Sequence, residues 1–567
     1  MGAIVSSEAT VADVRPPRPG APQRDPRPIR LAKRAFGRIA RKPWLGYLLV
    51  ALFALIVDVS LAALMRTPEP WCHDEFSYLL GADTYAHGRL TNPTHPLWVH
   101  FESIHIIQQP SYASKYPPGQ GLMLAAGQVL GGHPLVGVWL SEALACMAIF
   151  WMLRGWVPAR WALLGGFLAP LYPVMVAWSQ SYWGGSVAVI GGCLVAGALR
   201  RLARRPRVSD AVAMGLGMAV LANSRPFEGA VFSGLSLAAL LLWWATHRTA
   251  AIREIVQRVA LPVASVLFIA VMAMGYYNWR VTGNALRMPY ALHEQVYGRT
   301  PLFLWQAPRP EPTYRHKSIH DIQTGQVFQA FERQQTLNGF LRLAWLKVAC
   351  LGIAFYPFAM LQVPLLMLPW VLKNPWMRTA LGICLGLTLA LLNVTWLHPH
   401  YAAPMTGLAL LLEIQGMRHL RLWKLRGRPT GRLILHACVL LWVSCPLLIC
   451  GYLKGFDVDE SWRRNFSQRE QIIKRFKQGG EHHLIVVRYG PNHNPLSEWV
   501  WNEADIDGSV VVWAREMDPA QNRKLLDYFK DRKVWLLEPD DEAVKLAPYP
   551  IPASREHADS STPARSS

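Results

Sequence analysis

Charged residues are scarce in this 567-residue sequence, at 17% of the total, while hydrophobic residues make up 52%. That balance excludes an ordinary soluble protein of this length. The apolar residues come in blocks of roughly 18 to 22, the length that an α-helix needs to cross the hydrocarbon of a bilayer. The sequence therefore predicts a protein with many membrane spans.

Other absences exclude several kinds of site. Cysteine is sparse, at 8 residues, and all but Cys72 fall inside apolar blocks, so no pair has the spacing of a metal site. Neither a P-loop nor a Rossmann glycine pattern occurs, which excludes nucleotide sites of those kinds. The formal net charge of +21 comes from basic residues placed between apolar blocks, so we predict no nucleic-acid partner.

The apolar blocks predict a mainly α-helical, polytopic membrane bundle with about eleven spans. These lie near residues 44–64, 135–153, 161–178, 185–199, 209–223, 227–245, 259–279, 348–372, 378–397, 402–416 and 432–451.

Four regions are predicted around and within this bundle. Residues 1–42 form a disordered basic tail, 43–452 the membrane domain, 453–553 a small soluble α/β domain, and 554–567 a second disordered tail. Two long loops, 66–133 and 281–346, leave the bundle on one side, and the apolar stretch 119–131 is too short to span, so it predicts a helix at the interface.

Basic residues set the predicted orientation. They precede the first span and fill every short loop on the same side, which the positive-inside rule places in the cytoplasm. With an odd number of spans, both long loops and the C-terminal α/β domain are extracytoplasmic. We expect a multi-pass protein of a bacterial inner membrane, in contact with membrane lipids.

The polar residues able to carry chemistry fall in loops predicted to lie outside. Asp74 and Glu75 follow the first span, and an exposed carboxylate there could take a proton from an attacking hydroxyl. An ordinary solvated acidic pair is the alternative. The loop 66–133 adds the polar side chains Tyr78 and Glu102 as candidate substrate contacts. The loop 281–346 is a candidate lid over the acceptor, or a plain connector.

Cationic and aromatic groups follow in the other external loops. Arg225 could clamp a phosphate, or could pair with Glu228 at the interface. His398, His400 and Tyr401 could add donors, or could cap a helix at the interface. The turn 179–185 offers Gln180, Tyr182 and Trp183 for sugar binding, or is a plain tight turn.

Two of these segments resemble the GT-C superfamily of polytopic glycosyltransferases. The Asp74-Glu75 pair after the first span, followed by Lys115-Tyr116-Pro117-Pro118-Gly119 and Gly131-Gly132, resembles the branch of bacterial aminoarabinose transferases and protein O-mannosyltransferases. In that branch the lysine motif reads Lys-Pro-Pro, so Tyr116 is an inserted residue. The likeness covers residues 44 to about 230.

The resemblance implies an inverting transfer of a sugar from a polyprenyl-phosphate donor to an extracytoplasmic acceptor. It implies that Asp74 is the base, that Glu75 is a helper or a contact to a divalent metal, and that Lys115 binds the donor phosphate. The resemblance makes no cofactor certain and leaves a divalent metal as an alternative, and the sequence identifies neither sugar, acceptor nor oligomeric state.

Two other functions stay open at this point. A transporter or lipid flippase would also place acids such as Asp58 and Glu142 inside spans. A non-catalytic envelope assembly protein would use the C-terminal domain and not Asp74.

Overall fold

The computed structural model describes residues 27–65, 68–247, 250–455, 461–540 and 544–550. The helices before the segment 281–346 are α1 (Arg27–Arg41), α2 (Pro43–Met65), α3 (His73–Ala86), α4 (Pro118–Gly131), α5 (Pro134–Trp156), α6 (Ala159–Leu168), α7 (Pro173–Ser179), α8 (Gly185–Leu202), α9 (Val208–Ala222), α10 (Pro226–His247), α11 (Ile252–Ile255) and α12 (Leu261–Thr282).

The helices that follow are α13 (Pro289–Val296), α14 (Lys317–Asp321), α15 (Val327–Glu332), α16 (Leu337–Phe355), α17 (Leu368–Val371), α18 (Pro375–Leu392), α19 (Thr406–Leu420), α20 (Thr430–Gly455), α21 (Ser461–Lys477) and α22 (Pro519–Tyr528). The strands are β1 (Asn92–Pro93), β2 (Ile106–Ile107), β3 (Ser111–Ser114), β4 (His483–Val487), β5 (Val511–Arg515), β6 (Lys533–Glu538) and β7 (Lys545–Pro548).

The predicted helical membrane bundle is confirmed. Among the described residues, 8 helices are long and apolar enough to cross a membrane, and α6 with α7 adds a ninth if that pair, bent by 51°, is one span. Apolar side chains on the outer face of α12 are largely exposed, with Phe268 and Ile269 both at 67%, as expected where a helix faces lipid.

Three of the predicted spans differ from the structure. Those near 209–223 and 402–416 correspond to α9 and α19, which at 15 residues each are not among the helices long enough to cross, and the third is broken. The stretch 348–372 is not a single helix, because α16 begins at Leu337, inside the predicted loop 281–346, and ends at Phe355. The side chain of Thr336 accepts a hydrogen bond from the Gly339 amide and caps its start. Pro357 disfavours helical geometry at the residue before it, so the chain breaks there and resumes as a separate helical segment at Ala359–Val371.

The prediction of a disordered tail over residues 1–42 is wrong for residues 27–41. Residues 27–41 form α1, with Phe36, Ile39 and the fully buried Ala40 on the side that packs on α6, and arginines on the exposed side. Residues 1–26 and the predicted C-terminal tail lie outside the described residues.

The small C-terminal α/β domain is confirmed and lies against α3. Its sheet has the order β5-β4-β6-β7, with β4 parallel to β5 and β6, and β7 antiparallel. Apolar side chains of this sheet share one buried cluster with Phe76 and Leu80 of α3, and the ring of Trp501 stacks on that of Phe76 at 4.9 Å. The domain therefore covers the helix that carries Asp74 and Glu75.

Candidate active site

Asp74 lies in the first turn of α3, where the helix dipole favours a negative charge. Its Oδ1 accepts a hydrogen bond from the Tyr116 hydroxyl, and Nε2 of His105 lies 3.8 Å from the same oxygen. The Asp74 side chain keeps 29% of its surface exposed. The carboxylate is thus held in place and still open to a substrate.

The neighbours of Asp74 keep it ionised. Burial alone raises the pKa of its carboxyl, but the hydrogen bond from Tyr116 and the charge of Lys115 outweigh burial, so the pKa lies below its usual value. His105 is shifted the other way: burial and then the charge of Lys115 hold its pKa well below the usual value, so the imidazole is neutral. At neutral pH, Asp74 is a carboxylate able to accept a proton.

Glu75 has a different environment from its neighbour. Its side chain is fully buried, where Oε2 accepts a hydrogen bond from the Trp71 amide at 2.9 Å and Oε1 one from the Tyr182 amide at 2.8 Å. Burial raises the pKa of Glu75 to about 7. The carboxyl ties the chain before α3 to the turn before α8, and leaves the open position to Asp74.

Lys115 is near enough to Asp74 for its charge to lower the pKa of that carboxyl. Its Nζ is 3.4 Å from Oε1 of Glu294 and 4.9 Å from the ring centroid of Tyr290, and only 6% of its side chain is exposed. Burial raises the pKa of Glu294, but Lys115 and His293 outweigh it and lower the pKa to about 2. The segment 281–346 thus contributes an ionised partner for Lys115, beside a cavity of about 150 Å³ that Tyr290 and Glu294 line.

The lysine motif docks on the turn that carries Arg225. The Gly119 amide donates a hydrogen bond to the Asn223 carbonyl at 2.8 Å. A Cβ on Gly119 would lie 2.6 Å from that oxygen, so only glycine allows this approach.

Arg225 stacks its guanidinium over the Tyr401 ring, 5.0 Å from the centroid. Burial alone lowers its pKa, but Tyr78, Glu228 and Tyr401 outweigh burial, and the pKa ends above its usual value. The cation is permanent, and the structure records its contact with Tyr401 but, among the described residues, no ion pair with Glu228.

His398 and His400 form an aromatic cluster with Trp183. The indole lies 5.5 Å and 4.9 Å from the two imidazole centroids, and the imidazoles stack on each other at 5.5 Å. Burial lowers the pKa of both histidines. They are neutral near pH 7, so they can offer an N–H donor or a stacking face and not a charge.

Two predicted substrate contacts have other partners. Oε1 of Glu102 accepts a hydrogen bond from the Tyr297 hydroxyl at 2.8 Å, and the Glu102 carbonyl accepts one from Nε of Arg515 at 2.7 Å. Glu102 therefore joins the segment 281–346 to the C-terminal domain. Gln180 donates to the Asp58 carbonyl at 3.1 Å and joins its turn to α2.

Sequence reasoning gave no role to Tyr116, His105 or the C-terminal domain at this site. Tyr116 was visible as the inserted residue of the lysine motif. His105 sits at a positive φ of 66° in a tight turn, for which the sequence gave no signal. The ring of Trp501 lies 6.3 Å from that of His73 at the start of α3, so the C-terminal domain forms one wall of the site.

The side chains of the site were compared with the ligand sets that hold metal ions. Within the described ranges, no group of three or more His, Cys, Asp or Glu side chains could hold a metal ion.

Comparisons with known proteins give only distant likenesses. No family model matches the chain, and no curated protein matches it. A structure of ArnT from Cupriavidus metallidurans in the apo state is 13% identical with a TM-score of 0.47, over 86% of this chain and 92% of that one. The oligosaccharyltransferase AglB from Archaeoglobus fulgidus, in complex with an inhibitory peptide and a dolichol-phosphate, is 9% identical with a TM-score of 0.41, over 88% of this chain and 69% of that one. Because both TM-scores lie below 0.5, we infer no activity from these likenesses.

Proposed function

We propose that this protein is a GT-C-type membrane glycosyltransferase that moves a sugar from a polyprenyl-phosphate donor to an extracytoplasmic acceptor. The observation that carries the proposal is the ionised, partly exposed Asp74, held by Tyr116 beside the buried cation of Lys115. A base beside a cation is what transfer from a phosphate leaving group requires.

In the proposed reaction the acceptor hydroxyl gives its proton to Asp74. The acceptor oxygen attacks the anomeric carbon from the face opposite the phosphate, the bond from that carbon to the phosphate oxygen breaks, and the configuration inverts. The phosphate leaves on its lipid with the electron pair of that bond. Asp74 ends protonated and returns its proton to water.

Lys115 and Arg225 are the proposed cations for the leaving phosphate. Negative charge grows on the phosphate oxygens as the bond breaks, and fixed cations in a water-poor site stabilise that charge without reorganising. The neutral His398 and His400 contribute N–H donors. Tyr401 stacks on Arg225 and holds it in position, and Trp183 offers a face for a sugar ring. Tyr182 is buried, with its hydroxyl hydrogen-bonded to the Pro68 carbonyl, so its ring does not face a substrate.

Glu75 is assigned a positioning role. Its two backbone hydrogen bonds fix the start of α3 against the turn at Tyr182, and therefore fix where Asp74 points. The acceptor is proposed to enter between the C-terminal domain and the segment 281–346, on the outer face of a bacterial inner membrane. A divalent metal is not needed in this scheme.

A lipid flippase is the second candidate. It is favoured by Asp58 and Glu142, both fully buried inside candidate spans. A flippase moves a lipid-linked sugar without breaking its bond to phosphate, so bond cleavage separates the two functions.

The test is transfer from a panel of radiolabelled polyprenyl-phosphate sugars in membranes containing wild type or Asp74→Asn at matched expression. Loss of the base should slow transfer by about 10²- to 10⁴-fold. Glu69→Gln is the matched control, because it makes the same change on an acid that is ion-paired with Lys474 at 3.0 Å. Full transfer by Asp74→Asn would overturn the assignment of Asp74 as the base. If every donor stays intact after incubation with wild-type membranes, the proposal that the protein is a glycosyltransferase is overturned.

A further inference from the structure

A groove far from the proposed active site lies between α1 and the start of α6. Its cavity has a volume of about 400 Å³ and is lined by Gly37, Ala40, Arg41, Pro158, Ala159, Arg160 and Trp161. Neither the proposed chemistry nor the packing of the bundle uses this space.

The groove is strongly basic. Helix α1 has arginine at five positions, including Arg38 and Arg41 in its last turn, and no acidic residue. Arg41 and Arg160 are both exposed. In the part of the chain that the structure describes, no carboxylate forms an ion pair with either guanidinium.

The groove also lies where two candidate spans begin. Helix α2 starts at Pro43, two residues after Arg41, and the bent pair α6 and α7 starts at Ala159. Cationic side chains at the ends of spans lie at the depth of lipid headgroups, and an indole such as that of Trp161 prefers the same depth.

Gly37 lies directly under the guanidinium of Arg160. A Cβ on Gly37 would lie 2.7 Å from Nη2 of Arg160, so a side chain there shifts the end of that arginine.

We propose that this groove binds the phosphate of an anionic phospholipid. Arg41 and Arg160 hold the phosphate, Trp161 contacts the apolar part of the lipid next to it, and the other arginines of α1 add a favourable electrostatic field. The proposal commits to a lipid and not to free phosphate, because the groove opens where the spans enter the bilayer.

The experiment is native mass spectrometry of the full-length protein, delipidated and titrated with phosphatidylglycerol or with phosphatidylcholine of the same acyl chains. Wild type should retain more phosphatidylglycerol than phosphatidylcholine. At about 1 kcal/mol for each basic residue, R41Q/R160Q should bind it about 10- to 30-fold more weakly.

Two further variants keep the test decisive. R204Q/R205Q removes two exposed arginines from another basic loop that does not line the groove, so its binding should match wild type. Gly37→Leu leaves the charge unchanged and should weaken the preference, because its side chain occupies part of the groove and shifts the end of Arg160. Thermal unfolding midpoints check that each variant is folded.

Three results would overturn the proposal. They are equal retention of the two lipids by wild type, equal weakening in R41Q/R160Q and R204Q/R205Q, and full displacement of phosphatidylglycerol by millimolar inorganic phosphate. The last would indicate an anion site with no specificity for lipid.

Discussion

Removing the Tyr116 hydroxyl should change the pH dependence of sugar transfer more than its maximum rate. In Tyr116→Phe the ring stays stacked on Tyr78 at 4.5 Å between centroids, but the hydrogen bond to Asp74 is lost. Burial raises the pKa of Asp74, and without the Tyr116 hydrogen bond the charge of Lys115 becomes the largest remaining influence that lowers it. The pKa of Asp74 therefore rises.

The size of the effect follows from the strength of that hydrogen bond. A hydrogen bond to an ionised acceptor contributes about 1.5–3 kcal/mol, so the ratio of ionised to protonated Asp74 at a given pH falls by about 10- to 100-fold. Because the base works only when deprotonated, the acid limb of the rate profile moves to higher pH. Above that limb the variant should transfer sugar at about the wild-type rate.

The assay is the initial rate of transfer at saturating donor from pH 4 to pH 9 for wild type and Tyr116→Phe. Tyr78→Phe is the matched control, since it removes a neighbouring hydroxyl and leaves the bond between Tyr116 and Asp74 in place. An acid limb at the same pH in all three proteins would refute the reasoning. A uniform loss at every pH in Tyr116→Phe would indicate a structural role instead.

Three other changes give separate results. The pKa of Glu75 is raised from 4.5 to about 7, so between these pH values its carboxyl is protonated in the folded chain and ionised in the unfolded chain. The free energy of unfolding is therefore highest below about pH 4.5 and falls by roughly 3 kcal/mol as pH rises to about 7. Unfolding of Glu75→Gln followed across this range should lack that fall, and an identical pH dependence in both proteins would contradict it. Arg225→Lys keeps the charge but loses the two-pronged contact to the leaving phosphate, so kcat/KM for the donor should fall about 10-fold, and an unaltered kcat/KM would count against phosphate binding there. Arg515→Met strands the fully buried Glu498 and should cost about 3–5 kcal/mol in denaturant unfolding. Arg515→Met with Glu498→Leu should recover part of that loss, because it removes the stranded charge but leaves the Glu102 carbonyl and the Val500 amide without these partners. No recovery in the double variant would mean that the ion pair is not the cause.

The elements that the sequence predicted well are those fixed by local pattern. A run of about twenty apolar residues must form a helix in lipid, because no other local structure pairs its backbone polar groups. The strands β4, β5 and β6 are short apolar, β-branched runs between turns, which is the pattern behind the predicted α/β domain. Strand β7 was missed, because four residues that pair only with β6 carry almost no signal of their own.

The errors arose where a local pattern permits more than one outcome. A hydropathy window bridged the break at Pro357 and joined the end of α16 to the next helical segment. In residues 27–41, the density of arginine hid a narrow apolar side that becomes significant only when α6 covers it.

The sequence by itself determined that this protein has many apolar helices able to span a membrane, a small α/β domain after them, and an acidic pair after its first span. Tertiary structure alone decided that the two adjacent acids differ, because successive residues of a helix point about 100° apart. That rotation buries Glu75 under two backbone amides and turns Asp74 toward Tyr116 and Lys115. Which side chains lie around a carboxylate depends on segments that are far apart in the chain, and their distances are set only when the bundle packs.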